Sequence, residues 1–366
     1  MKIVSVIGAR PQFVKAAPVS RLLRQRHEEV LVHTGQHYDD AMSASFFRDL
    51  DLPPPDRDLG VGSGTHAIQT ADMLRRLEPL LSEEAPDAVL VYGDTNSTLA
   101  GALAAAKLVD AAGQRPWLAH VEAGLRSFNP AMPEERNRIV ADHLSDLLLA
   151  PTPAAVANLA REGLAERATM VGDVMVDAFM AASSRADDFL PPIAKGRPFL
   201  LLTLHRPSNV DDPARLGAWL DAVAEQAAPV LFPVHPRTRA VLDGAQVAIP
   251  ESVTPLEPVG YLAMVALEHA ARVIATDSGG VQKEAYLAGV PCVTLRAETE
   301  WIETLEAGWN RLCSEPSDAP AAITAADAVD RSAPRPPLFG DGHAAERIVE
   351  ALERLTAGRA AALVAS

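Results

Sequence analysis

The chain has 366 residues, 48% of them apolar, a formal net charge of −15 and a sequence pI near 5.1. The length points to two domains, and the apolar content fills sizeable cores, which excludes global disorder. The acidic balance argues against a nucleic-acid or anionic-membrane partner, because like charges repel at long range; a small anion in a local basic pocket is still allowed.

Near-continuous apolar runs alternate with amphipathic ones. Ile3–Ile7 reads as a strand, Val14–Gln25 as a helix and Val30–His33 as the next strand. A helix carrying Phe46 and Phe47 follows, then the Pro53-Pro54-Pro55 turn and a long helix over Ala67–Ser82. Ala88–Tyr92 is a strand and alanine-rich Thr95–Leu108 a helix; Trp117–His120, Leu147–Ala150 and Thr169–Val171 are further strands. After a proline- and glycine-bearing connection at Pro191–Pro198 the pattern restarts, with strands at Phe199–Leu204, Val230–Val234, Val253–Pro255, Arg272–Ala275 and Pro291–Leu295. A last helix over His343–Leu355 precedes an alanine-rich tail, Ala357–Ser366, expected to fray. Strands this apolar, separated by helices, predict parallel sheets covered on both faces: two Rossmann-like doubly wound α/β domains facing a cleft. Ligands of such sheets bind beyond the carboxyl ends of the strands, so the strand-to-helix loops carry the chemistry.

Cys292 and Cys313 are too few for a disulfide framework and read as buried free thiols. Without a CxxC or Cys/His cluster no metal is expected. The apolar run Ile3–Ile7 is too short for a signal peptide, and no stretch has the length of a membrane helix; a cytoplasmic location is expected.

The loop Gly8-Ala9-Arg10-Pro11 opens a helix, with Arg10 at its mouth and Lys15 about one turn in, a pattern suited to phosphate. It lacks Gly-x-Gly-x-x-Gly, and the second strand ends in Thr34-Gly35 with no acidic residue for a ribose, which disfavours a dinucleotide cofactor. Asp94 follows the strand ending at Tyr92-Gly93 and is otherwise a candidate helix N-cap. Glu122 and Arg126 follow another strand and are otherwise a pair with each other. Glu134 and Arg138 stand four apart on one helix face, the spacing of a solvated ion pair. In the second half, His205-Arg206 and His235-Pro236-Arg237 each follow a strand. Thr276-Asp277-Ser278-Gly279-Gly280 reads as a Gly-Gly turn whose backbone N–H groups face a ligand at a helix N-terminus. Glu284, near the end of the second helical turn, is either a ribose acceptor or a surface residue.

From Gly8-Ala9-Arg10-Pro11 to Phe339-Gly340-Asp341-Gly342, the chain resembles the non-hydrolysing UDP-N-acetylglucosamine 2-epimerase family. The resemblance is carried by Gly93-Asp94, Val121-Glu122-Ala123-Gly124-Leu125-Arg126, Pro133-Glu134-Glu135 with Asn137-Arg138, and Asp277-Ser278-Gly279-Gly280. It implies a glycosyltransferase-B-like fold and a homodimer. The N-terminal domain would span 1–172, the C-terminal nucleotide-binding domain 173–342, and a C-terminal helix over about 343–366 would pack back on the first. It implies a UDP-sugar substrate and no cofactor: UDP is eliminated across C1–C2 to a glycal and re-added with the C2 proton on the opposite face. By position, Asp94, Glu122 and Glu134 match the family's catalytic carboxylates, and His205 matches a histidine tied to catalysis. Arg10, Lys15, Arg138, Ser278, Gly279, Gly280 and Glu284 match nucleotide- or phosphate-binding positions, with His235 a further candidate.

Two departures stand out. Gln36-His37-Tyr38-Asp39-Asp40-Ala41-Met42 and Gly62-Ser63-Gly64-Thr65-His66 differ from the family's allosteric segments, so activation by UDP-N-acetylglucosamine is expected to be absent. The Thr203–Asn209 loop and Glu298-Thr299-Glu300-Trp301 look more like a branch acting on UDP-2,3-diacetamido-glucuronate, whose extra carboxylate needs a cation: Arg206, Arg126 or Arg296. A hydrolysing epimerase, a glycosyltransferase of the same fold and a silent nucleotide-sugar binder are the other readings; an acid/base set has no use in the last.

Overall fold

The computed structural model describes residues 1–36, 47–109, 113–226 and 228–365. The chain divides into two compact units, Met1–Met180 with Phe339–Ser366, and Ala181–Leu338.

The first unit is built as β1 (Lys2–Ile7), α1 (Arg10–Arg26), β2 (Glu28–His33), β3 (Arg57–Asp58), α2 (His66–Glu84), β4 (Ala88–Tyr92) and α3 (Asn96–Lys107). Then come β5 (Trp117–Val121), α4 (Pro133–Leu144), β6 (Leu147–Ala150), α5 (Pro153–Arg161), β7 (Ala168–Met170) and the first half of α6 (Val174–Ala186). Its sheet is parallel, in the order β3-β2-β1-β4-β5-β6-β7. Alternation along β1 serves two cores. Ile3 and Ile7 join Phe13, Ala16, Val19 and Leu23 of α1. Val4 and Val6 join Met73, Leu77 and Leu81 of α2 and the alanines of α3. The first core also takes Ala344, Ala345, Ile348, Val349 and Leu352 from the last helix of the chain.

The second unit runs β8 (Leu200–Thr203), α7 (Pro207–Val210), α8 (Pro213–Ala224), β9 (Val230–Pro233), α9 (Pro236–Gly244), β10 (Val253–Leu256) and α10 (Tyr261–Ala270). It continues with β11 (Val273–Thr276), α11 (Gly279–Ala288), β12 (Cys292–Thr294), α12 (Ile302–Glu306), β13 (Asn310–Leu312) and α13 (Ala319–Asp327). Its sheet is again parallel, β10-β9-β8-β11-β12-β13. Leu200, Leu202 and Leu204 pack on Leu216, Trp219 and Leu220 of α8, while Phe199 and Leu201 face Leu267 and Ala285 on the other side.

The doubly wound reading therefore holds in each unit, with two corrections, and so does the reading of both cysteines. β3 and β13 add an edge strand to each sheet. The alanine-rich tail continues α14 (Ala344–Ala365) instead of fraying, as the high helix propensity of alanine favours. Cys292 and Cys313 are both buried free thiols, and burial pushes Cys292 up to about 12, which keeps it an unreactive thiol. No helix among the described residues is long and apolar enough to cross a membrane.

Gly124 shows how tightly a strand-end loop sits on its neighbours. Its φ is +84°, and a Cβ there would lie 2.5 Å from the Ala155 carbonyl oxygen and 2.8 Å from Leu159 Cγ. Gly124→Ala is expected to lower stability by at least about 2 kcal/mol, from left-handed backbone strain plus overpacking. A denaturant midpoint unchanged from wild type would contradict this.

Candidate active site

In the first unit the carboxyl ends of β1, β4 and β5 meet the N-terminus of α4. Gly8 ends β1 where a side chain has no room: a Cβ would overlap the Thr34 and Ser97 hydroxyls, which bond each other at 2.8 Å. Gln12 fastens the loop, its Oε1 accepting from the Gly8 and Ala9 N–H groups at 2.8 and 3.0 Å and its amide donating to the Tyr92 carbonyl at 2.8 Å. Those two N–H groups at the mouth of α1 are thus used internally. Arg10 is partly exposed at that mouth, whereas Lys15 is buried and forms an ion pair with Glu122.

Asp94 is not a helix cap. Thr95 caps α3, its side chain accepting from the Thr98 N–H, and Asp94 pairs with Arg138 of α4. Asn137 Nδ2 donates to the Asp94 carbonyl at 3.0 Å. Arg138 also meets Glu135 at 3.2 Å, so it is drawn away from Glu134 despite the four-residue spacing. Glu135 in turn accepts from the Ser127 and Phe128 N–H groups at 2.9 and 3.0 Å. Glu134 is half-buried, with no hydrogen-bond or ion-pair partner among the described residues.

Glu122 does not pair with Arg126. Its backbone is left-handed, φ +71°, rare for a residue with a Cβ and common where a site fixes a side chain's direction. The Glu122 carboxylate and Lys15 Nζ both lie against Gly93, beside Asp94. Arg126 instead donates to both oxygens of Glu162 at 2.7 Å and pairs with Asp142 at 2.8 Å. Asp94, Glu122, Lys15 and Arg138 are thus one cluster, and Glu134 stands one turn before Arg138 on the same helix.

In the second unit Asp277 is the hub at the carboxyl ends of β8 and β11. It is fully buried and accepts from the backbone N–H of His205 and of Arg206, at 3.1 and 2.9 Å, and from Asn209 Nδ2 at 3.2 Å. His205 Nδ1 meets its Oδ1 at 3.0 Å. The His235 ring lies 5.5 Å from that of His205, and His235 caps α9. Ser278 caps α11, accepting from the Val281 N–H. Gly279 and Gly280 are not a turn with unusual backbone; they are the first residues of α11, where N–H groups lack partners within the helix. Arg206 Nη2 lies 4.0 Å from where a Gly279 side chain would begin. Arg296, by contrast, is held by both Glu300 oxygens at 3.1 Å. Glu284 is buried, not a surface residue; burial and the adjacent Glu284 carboxylate push Glu268 well above the usual carboxylate range.

Burial opposes ionisation of Asp142 and Asp277, but hydrogen bonds and charge outweigh it. His120 and Arg126 hold Asp142 below the usual carboxylate range; His205 and the N–H groups of Arg206 and His205 do the same for Asp277. Each folded pKa lies under its unfolded one. The stabilisation is therefore full above about pH 4 and is lost as the pH falls through the depressed values. The wild-type Tm is expected to drop steeply below about pH 4, while Asp142→Asn melts lower at neutral pH and falls less on acidification. Parallel acid slopes for the two proteins would refute the assignment.

A two-unit parallel α/β chain with this carboxylate cluster and this helix N-terminus agrees with the family comparison. The family model for UDP-N-acetylglucosamine 2-epimerase matches residues 21–353. The chain belongs to this family. It is similar to the UDP-2,3-diacetamido-2,3-dideoxy-D-glucuronate 2-epimerase of Pseudomonas aeruginosa, 45% identical over 97% of this chain and 100% of the relative. It is 44% identical to a UDP-N-acetylglucosamine 2-epimerase homolog of Methanococcus maripaludis, covering 97% and 100% of the two chains. A crystal structure of Methanocaldococcus jannaschii UDP-GlcNAc 2-epimerase in complex with UDP-GlcNAc and UDP superposes with a TM-score of 0.88 at 39% identity, covering 97% of this chain and 100% of that one. The fold alone is shared with the calicheamicin glycosyltransferase CalG4, with a TM-score of 0.58 at 18% identity over 98% of both chains. The glycosyltransferase-B-like class is thereby established for this 2-epimerase-family chain.

Asp277, Asp142, Glu135 and Glu162 had no role assigned in the sequence reading, and each holds a residue that had one. The signal available for His120 was a polar residue in an otherwise apolar strand. Of the segment 36–42, only Gln36 lies within the described residues, where its Oε1 accepts from Ser97 Oγ at 2.8 Å. His37 to Met42 lie outside them, as does Phe46. Among the described residues no group of three or more His, Cys, Asp or Glu side chains is placed to hold a metal ion.

Proposed function

We propose that the protein is a non-hydrolysing 2-epimerase that interconverts UDP-N-acetylglucosamine and UDP-N-acetylmannosamine. The observation that carries this reading is the set of carboxylates in the first unit: Asp94 on Arg138, Glu122 on Lys15, and Glu134 with no cation to release. Removing a C2 proton needs a base, and returning one to the opposite face needs an acid. The C1–O bond to UDP breaks as the C2 proton leaves, giving a glycal; UDP then adds back to C1 as C2 is reprotonated. His205, held through Nδ1 by Asp277, would stabilise the departing diphosphate, together with Arg206 and the first N–H groups of α11. Glu284 is read as the ribose acceptor. By family resemblance, Arg10, Lys15, Arg138 and His235 are read as nucleotide contacts, and the protein as a cytoplasmic homodimer supplying polysaccharide biosynthesis.

A second substrate, UDP-2,3-diacetamido-glucuronate, is favoured by the 45% identity to the Pseudomonas aeruginosa enzyme. Of the three cations suited to its extra carboxylate, Arg126 and Arg296 are each held by carboxylates, which leaves Arg206. Proton NMR in deuterated water tests both. Deuterium entering C2 of UDP-N-acetylglucosamine, with a growing manno product and no lasting free UDP, is expected. Exchange only with the diacetamido-glucuronate would move the assignment to that sugar; accumulating UDP would mean a hydrolysing enzyme.

A further inference from the structure

The fully buried imidazole of His120 is unusual in reaching two acceptors. Nε2 lies 2.7 Å from the Gly93 carbonyl oxygen and Nδ1 lies 2.7 Å from Asp142 Oδ1. A carbonyl oxygen has no hydrogen to offer, so Nε2 must donate. Asp142 already accepts from the Gly124 N–H at 3.1 Å and pairs with the Arg126 guanidinium at 2.8 Å, both of which favour the carboxylate, so Nδ1 donates as well. The hydrogen bonding thus needs a proton on both ring nitrogens. The charge this places in the interior is balanced along the chain His120, Asp142, Arg126 and Glu162, which alternate in sign and sum to zero.

Packing alone does not call for such an arrangement, since an aromatic hydrocarbon would fill the volume with no desolvation cost. What the ring joins is informative. Gly93 precedes Asp94, His120 lies on β5 two residues before Glu122, which follows the strand's end, and Asp142 lies on α4, which carries Glu134 and Arg138. Glu122 also has left-handed backbone, φ +71°, a conformation that costs a residue with a Cβ and needs an external hold.

We propose that His120 is a positioning residue for the epimerisation: its doubly donating ring, seated on Asp142, locks together the three segments that present Asp94, Glu122 and Glu134. The proposal rests on the epimerase reading above. In this picture the UDP contacts of the second unit are independent of His120, while Lys15 and Arg138 lie in the segments it aligns, so the effect falls more on turnover than on UDP binding.

The test uses the full chain, with C2 epimerisation followed by NMR and UDP binding by calorimetry. His120→Phe is expected to lower kcat about 100-fold with a much smaller change in the UDP Kd, the scale for loss of alignment at a reacting centre. His120→Gln, which keeps one donor, is expected to fall between Phe and wild type, and remains informative if the Phe variant does not fold. Asp142→Asn combined with His120→Gln is expected to be no slower than the slower single variant, because both act through one contact. A folded His120→Gln protein with wild-type kcat overturns the proposal, and so does a loss of UDP affinity equal to the loss of kcat. A wild-type chain that epimerises neither UDP-sugar overturns the function itself, a separate result.

Discussion

Glu134→Gln is expected to abolish most turnover, lowering kcat about 10²- to 10⁴-fold, the range for removal of a general acid or base. The substitution is nearly isosteric, and Glu134 has no partner to lose among the described residues, so the Tm is expected to stay at the wild-type value. Glu122→Gln makes a useful contrast. It is expected to cost similar activity, but it also leaves the buried Lys15 ammonium facing a neutral amide, at about 1 to 3 kcal/mol of stability. Asp94→Asn loosens Arg138, which retains Glu135. Kinetics and thermal melts of the three variants side by side separate chemistry from folding. A Glu134→Gln enzyme turning over at the wild-type rate would remove Glu134 from the proton transfers.

The second large effect is expected at the His205–Asp277 pair. His205→Asn is expected to lower kcat about 100-fold, since the ring would no longer face the developing diphosphate charge. Asp277→Ala should match that loss, because it releases His205 Nδ1, and should add a clear fall in Tm. The backbone N–H groups of His205 and Arg206 and the Asn209 amide would lose their shared acceptor, each at about 1 to 3 kcal/mol. The double variant is expected to be no slower than the slower single, because the carboxylate acts on the reaction through the ring. Additive losses in kcat would show that Asp277 acts by another route, and the pairing would then be structural only.

The strands were legible because parallel sheets buried on both faces leave apolar runs that few other structures produce: Ala88–Tyr92 and Leu147–Ala150 agree with the sequence reading to the residue. β3 escaped notice because Arg57 and Asp58 are exposed edge residues with no apolar signature. The candidate residues were legible as types at strand ends, but their pairings were not. Spacing suggested Glu134 with Arg138 and Glu122 with Arg126. The fold overrides both: Asp94, Asp142 and Glu162 arrive from other segments and compete for the same guanidiniums, and Glu135, three residues before Arg138, joins them. Long-range charge competition of this kind leaves no trace in local sequence. Asp277 lay in plain view in its motif, yet its task is visible only when the β8 loop closes over it.

The core of the first unit takes residues from both sides of the second along the chain: β1 and α1 come early, while Ala344 to Leu352 come after Leu338. A ribosome delivers these pieces far apart in time. When Leu338 has emerged, the second unit has all of its strands, while the first still has part of the apolar sheet face beside α1 uncovered. The part synthesised first is therefore the part completed last. Until α14 arrives, Ile3, Ile7, Leu90 and Leu149 lack one of their covering layers, the interval in which a nascent chain has most need of a chaperone.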